Sequence, residues 1–209
     1  MPADRLHLVR HGEVHNPARV LYGRLPGFGL SADGRRMAAD AGRYVFGFDR
    51  PLASLVSSPL QRTRESSVPF TEAFGVEPLI DERVIEPTNV FEGRRMNRAL
   101  GNPANWRYLR RPETPSWGEP YVSVLQRMRS AMDEAWDAAQ IGDIVIVSHQ
   151  LPIWITHLSV AGLPLRHDPR RRRCALSSVT SFERVGDVWR EVAYAEPANT
   201  SGAVDVGAV

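Results

Sequence analysis

A three-layer α/β/α sandwich with a mainly parallel central sheet is the fold this sequence predicts, and three observations predict it. Strand-like and helix-like segments alternate along most of the chain. Short apolar runs end abruptly in polar residues, as parallel strands do where their carboxyl ends meet a ligand. The length, 209 residues at 43% hydrophobic and 24% charged, suits one globular domain with a real core better than two. That domain is expected to span residues 1–195, with 81–118 as a lid or insertion and 196–209 as a flexible tail.

Residues 6–9, LHLV, read as a buried strand. Residues 31–46 follow as a helix with Ser31 as its N-cap. A second strand is expected at 53–57. It runs into Ser58 as a cap, Pro59 at the first helical position and Gln61 completing a capping box, so that Arg62 falls in a first helical turn. Residues 76–80 make a short strand. The stretch 81–118, rich in proline, glycine and tryptophan, is too long for a plain loop and is expected to carry short helices and wall a cleft. From Glu119 onward, Val122, Leu125, Met128, Met132, Ala135 and Ala139 recur at spacings near three and four, one face of a helix. Residues 143–148 are a buried strand with His149 at its tip, and a helix follows Pro152. Residues 175–195 alternate as two antiparallel strands joined around Gly186 and Asp187. The tail is rich in small residues without sustained periodicity and is left outside the fold.

Bulk properties exclude several function classes. A formal net charge of +2 does not announce a nucleic-acid binder. No apolar run approaches the roughly 20 residues of a membrane helix, and the first residues lack the apolar core of a secretion signal. The single cysteine, Cys174, permits no internal disulfide, and a cytoplasmic location is expected. No P-loop motif is present, which disfavours a nucleotide-driven kinase.

Residues 7–16, HLVRHGEVHN, crowd titratable groups behind the first strand. Three readings compete there: a metal site on His11 and His15, a nucleophilic histidine beside an arginine, or a polar strand end. The four-residue spacing of His11 and His15 needs a helix to make a metal site, and a strand precedes while Pro17 follows. Other strand ends add to the count: Ser57, Ser58 and Arg62 after the second strand, and His149 after the fourth. Two arginines and two histidines on one rim, beside a helix N-terminus, suit a phosphoryl dianion. Arginine's planar fork can grip two oxygens, and helix-end amides add donors. A neutral imidazole can then attack phosphorus.

These residues carry a resemblance. In LVRHGE, SSPLQRTRES and VIVSHQ, taken in order, the chain resembles the histidine phosphatase superfamily, which includes the cofactor-dependent phosphoglycerate mutases. The resemblance runs over roughly residues 6–192 and implies the phosphoglycerate mutase-like fold. It implies that His11 is the nucleophile, that Arg10 and Arg62 bind phosphate and that His149 is the second histidine of the pocket. RVIEPTNVFEG places Glu86 and Glu92 at the family's spacing for its general acid; Glu86 is assigned that role and Glu92 is the second choice. Asn16 is expected at the phosphate, although VHN is one residue shorter than the usual run. Gly23 and Arg24 open a loosened substrate loop. Ser57 lies at the pocket, and Gln150 replaces the usual glycine after Ser-His.

Mutase-type insertions are absent, so the expectation is a phosphatase acting on small phosphorylated metabolites without metal or cofactor. A mutase and a non-catalytic phospholigand-binding module are the alternatives. No nucleic-acid or membrane partner is expected, and dimers are common among proteins this chain resembles. Arg94 and Arg95 are candidates for gripping a second anionic group. The basic run 166–173 reads as solvated surface. His7, His157 and His167 read as structural, as do Trp106, Trp117 and Trp154. Cys174 lacks the downstream arginine of a cysteine phosphatase.

Overall fold

Five consecutive residues, Leu6–Arg10, are all buried because they form β1, a strand in the middle of a six-stranded sheet. The computed structural model describes residues 3–109 and 117–205. After β1 come α1 (Ala32–Phe46), β2 (Leu52–Ser57), α2 (Gln61–Phe74), β3 (Leu79–Ile80) and α3 (Met96–Leu100). Then follow α4 (Tyr121–Ala138), β4 (Asp143–Ser148), α5 (Gln150–Val160), β5 (Val179–Val185) and β6 (Val188–Ala195). The order across the sheet is β3-β2-β4-β1-β5-β6. The first four of these run parallel, β5 pairs antiparallel with β1, and β6 pairs antiparallel with β5.

Strand alternation divides the core between two faces. Leu6, Leu8, Val56, Ile144 and Ile146 cluster with Met128 and Met132 of α4 and with Leu151 and Ile155 of α5. Val9, Leu55, Val145 and Val147 cluster with Ala41 and Val45 of α1 and Phe70 of α2. Helices therefore cover both faces, giving the three layers. His7, buried in β1, contacts Ser181 Oγ at 2.8 Å and Asp143 Oδ2 at 3.1 Å. It is a satisfied structural histidine. Among the described residues, no helix is long and apolar enough to cross a membrane.

Several local expectations are corrected. Helix α2 starts at Gln61, with Leu60 in the cap position and no side-chain cap; Pro59 thus precedes the helix, and the Ser58 hydroxyl is used elsewhere. Helix α5 starts at Gln150, so Pro152 sits inside the first turn, where a missing N–H costs no helical bond. Val122 is 57% exposed. The buried stripe of α4 is Tyr121, Val124, Met128, Ala131, Met132 and Trp136, because spacing alone leaves the phase of an apolar face open. Strand β3 shrinks to two exposed residues at the sheet edge. Trp106 is exposed rather than core, whereas Trp154 is buried.

The insertion carries α3 and two 3-10 turns, Glu82–Val84 and Pro103–Leu109. Its Phe91 and Ala99 pack on Leu21, which seats it against the loop after β1; residues 110–116 lie outside the described residues. The tail, expected outside the fold, instead returns to it. Ala198 is buried with Met37 and Leu176, and the Val204 N–H donates to Glu13 Oε1 at 2.7 Å. Its small residues permit that close packing.

Candidate active site

The carboxyl ends of β1, β2 and β4 deliver the site. His11 directly follows β1, and its backbone N–H donates to Ser148 O at the end of β4, 3.1 Å away. His149 follows β4. The two rings meet edge to face with centroids 5.3 Å apart. Arg62 enters from the first turn of α2, and its Nη2 lies 2.8 Å from Gly23 O and 3.2 Å from His149 Nδ1. Glu86 comes from the insertion, with Oε2 3.5 Å from His149 Nδ1. Arg10, His11, Arg62, Glu86 and His149 are all nearly inaccessible to solvent.

Hydrogen-bond partners settle the ring tautomers. His11 Nδ1 faces Gly12 O at 2.7 Å; a carbonyl only accepts, so Nδ1 carries the proton and Nε2 keeps its lone pair. His149 Nδ1 faces an arginine N–H, which only donates, so its proton lies on Nε2 and is given to Ser58 Oγ at 2.8 Å. Burial, reinforced by Arg62 and Arg10, holds His11 well below the usual histidine range. Burial and Arg62 do the same to His149. Both rings are neutral near pH 7. Glu86 moves the other way: burial pushes its carboxyl up, against the pull of Arg62, Arg172, Arg10 and Arg127. Tyr22, whose ring lies under the Arg62 guanidinium at 4.7 Å, is pushed up to about 12, again mainly by burial.

Five buried side-chain atoms lack a hydrogen-bond partner within the protein among the described residues, and three of them are Arg10 Nε, Arg62 Nε and Glu86 Oε1. Orphaned buried donors normally cost about 1–3 kcal/mol each. Finding two on arginines of one site, beside a carboxyl oxygen, suits an oxyanion with a protonated acid next to it.

Other expected residues are placed differently. Ser57 turns its hydroxyl to Ser58 O at 3.0 Å, and it is Ser58 that reaches His149, since adjacent residues of an extended chain face opposite ways. Asn16 closes its own turn, with Nδ2 donating to Val20 O at 2.8 Å and Oδ1 accepting from Val20 N at 3.2 Å. Both polar atoms of its amide are thereby engaged within that turn. Glu92 accepts from the Arg24 and Asn89 backbone N–H groups at 3.1 and 3.3 Å; it braces the loop that carries Gly23 and Arg24, while Glu86 is the glutamate beside His149. Arg24 Nε donates to Glu86 O at 2.5 Å.

Gly23 has φ +40°, and a Cβ there would collide with Glu92. Gly12 is required by a close backbone approach: a Cβ would lie 2.3 Å from Gly34 O, at the start of α1. Gln150 Oε1 accepts from Arg172 Nη1 at 3.2 Å. Arg172 also contacts His167 and acts on Glu86, so this member of the basic run is not solvated surface. Arg94 is exposed and lines a separate surface cavity of about 360 Å³ with Val20, Arg95 and Arg98. Ser58 was read at the rim from the sequence, whereas beyond Arg172 motif reading missed Tyr22 and Ser66. Ser66 lies one helical turn after Arg62 and accepts the Gly12 N–H at 3.1 Å. Among the described residues no cluster of three or more His, Cys, Asp or Glu is arranged to hold a metal.

Comparison with known proteins agrees with this geometry. The family model of the histidine phosphatase superfamily, branch 1, matches residues 6–197. The Mycobacterium tuberculosis protein Rv0525 is 46% identical over 202 residues, covering 95% of this chain and 99% of that one. A protein of Erwinia tasmaniensis named probable phosphoglycerate mutase GpmB is 28% identical over 183 residues, 84% of each chain. Among solved structures, the mycobacterial glucosyl-3-phosphoglycerate phosphatase Rv2419c in complex with inorganic phosphate superposes with a TM-score of 0.75. It is 24% identical, and the match covers 94% of this chain and 100% of that one.

Proposed function

The chain belongs to the histidine phosphatase superfamily, branch 1, and on that premise we propose that it hydrolyses small phosphomonoesters through a phosphohistidine on His11, without a metal. The observation that carries this reading is the trio of orphaned atoms, Arg10 Nε, Arg62 Nε and Glu86 Oε1, beside a histidine whose Nε2 is unprotonated.

The phosphoryl oxygens take the arginine donors. His11 Nε2 attacks phosphorus as the P–O ester bond breaks, and Glu86 gives its proton to the departing alkoxide, which leaves as the alcohol. Glu86, now a carboxylate, takes a proton from water as that water attacks the phosphohistidine; inorganic phosphate leaves and His11 and Glu86 return to their starting states. Charge-assisted bonds from Arg10 and Arg62 stabilise the equatorial oxygens throughout. The upward shift of Glu86 suits its double role, since a carboxyl raised above its ordinary range more readily holds the proton it gives and, once ionised, is a stronger base toward water. The solved neighbour being a phosphatase captured with phosphate supports hydrolysis.

Rapid acid quench after mixing with labelled phosphomonoester should trap a phosphoenzyme in the wild type and none in His11→Ala. Persistent label in that variant sinks the assignment of His11. The relative named as a phosphoglycerate mutase favours testing one second reading. Chasing the labelled enzyme with a sugar-acid acceptor instead of water should yield free phosphate for a phosphatase and labelled acceptor for a mutase.

A further inference from the structure

We infer that Asp205, far along the chain from the strand-end motifs, is a positioning residue that aims the phosphate-binding edge of Arg10; the inference rests on the phosphatase reading above. Arginine presents five N–H donors in one plane. In Arg10, Nη1 donates to Cys174 O at 2.7 Å and to Asp205 Oδ2 at 2.8 Å, and Nη2 donates to Asp205 Oδ1 at 2.6 Å. Three donors are thereby used. What remains is the Nε–H, which has no partner within the protein, and the second N–H of Nη2. In a planar guanidinium these two point the same way and form one edge. Asp205 holds the end of the group and leaves its side as an intact two-donor fork, the arrangement that matches two phosphate oxygens.

The tail that delivers Asp205 is tied to the catalytic turn. Val204 N–H donates to Glu13 Oε1 at 2.7 Å, and Glu13 Oε2 accepts the Ser31 hydroxyl that caps α1. Glu13 lies two residues after His11, so one carboxylate couples the tail to the segment carrying the nucleophile. Arg10 is 1% exposed, and a buried guanidinium needs a counter-charge to be held in place. Asp205 supplies it and keeps the arginine firmly protonated against the effect of burial. The Asp205 side chain is 35% exposed, so its own repulsion of a phosphate on the other edge is screened by solvent, and alignment of the fork is the larger effect.

The test measures Ki for inorganic phosphate and for orthovanadate, as competitive inhibitors of p-nitrophenyl phosphate hydrolysis, in the full-length wild type and in Asp205→Asn, Asp205→Ala and Asp205→Glu. The Asn and Ala variants should raise both Ki and KM about tenfold, with a smaller change in kcat, as expected when one charge-assisted contact loses its alignment. The Glu variant should recover most of the affinity. Ki does not depend on the fraction of folded enzyme, so a role confined to stability lowers yield and apparent kcat and leaves Ki where it was. That result overturns the inference. A fall in Ki overturns it too, because it identifies Asp205 as a competitor for the anion site. A wild type that neither hydrolyses nor binds phosphate fails before any variant is compared, and removes the phosphatase reading together with this one.

Discussion

Acidification probes the property on which the attack proposed for His11 depends, the neutrality of a buried imidazole, a property that His149 shares. His11 and His149 are held well below the ordinary histidine value of 6.5, first by burial and then by Arg62. In the unfolded chain both rings accept protons near pH 6.5. Below that pH the unfolded state therefore binds more protons than the folded state, and stability falls as the pH is lowered. While the folded rings stay neutral, each costs RT ln(1 + 10^(6.5 − pH)), about 1.4 kcal/mol at pH 5.5 and about 2.1 kcal/mol at pH 5.0. Together they remove about 4 kcal/mol by pH 5.0, a large part of the roughly 5–15 kcal/mol that holds a domain together. His167 is also lowered by burial, so the wild type alone does not isolate the pair. Urea unfolding between pH 7.5 and 5.0 should be run on the wild type, His11→Gln, His149→Gln and the double variant, since glutamine does not titrate. Each single variant should lose about 1.4 kcal/mol less than the wild type by pH 5.5, and the double variant about 2.8 kcal/mol less. Four parallel curves of stability against pH would refute the reasoning, because the rings would then titrate alike in both states.

Three further outcomes are expected. Glu86→Gln should slow alkyl phosphate hydrolysis by a factor on the order of 10²–10⁴ and aryl phosphate hydrolysis far less, because a phenolate leaves without a proton; equal losses on both esters would remove Glu86 as the acid. In the wild type the alkyl rate should decline as pH rises through the raised pKa of Glu86, where the proton is lost, and the Gln variant should lack that limb. Gly23→Ala should cost about 1–2 kcal/mol through its left-handed backbone and raise KM, because Gly23 O orients Arg62. A lower melting temperature with an unchanged KM would show that the loop does not position the arginine.

How much of this was legible in the sequence depended on the range of the determinant. Arg10, His11, Arg62 and His149 announce themselves because each follows an apolar run that its own neighbours make into a strand, or opens the next helix. Spacing identified the helix of α4 but not its phase: Val122 fits the period and faces solvent, while Tyr121 and Trp136 are buried, since phase is decided by what the helix packs against. Ser57 and Ser58 were separable only by knowing where β2 ends. Asp205 was invisible for a different reason. Its partner lies 195 residues away, and a tail of small residues carries no periodic signal. Arg172 sat unmarked among five arginines of the run 166–173, identical in sequence terms and distinguished only by the pocket it enters.

The pairing of β1 with β4, Val9 opposite Val147 and Arg10 opposite Ser148, has an evolutionary consequence. His11 and His149 are each the next residue after a registered pair, so the distance between them is inherited from the sheet rather than set by any loop. Inserting or deleting one residue in either strand would turn the following side chain to the opposite face, and such changes should be purged from any lineage that retains the chemistry. Residues 22–29 and the insertion lie outside that pairing and can lengthen, shorten or exchange side chains while the two rings stay in step. Descendants of this scaffold can therefore vary the surroundings of the site while keeping its two histidines in place.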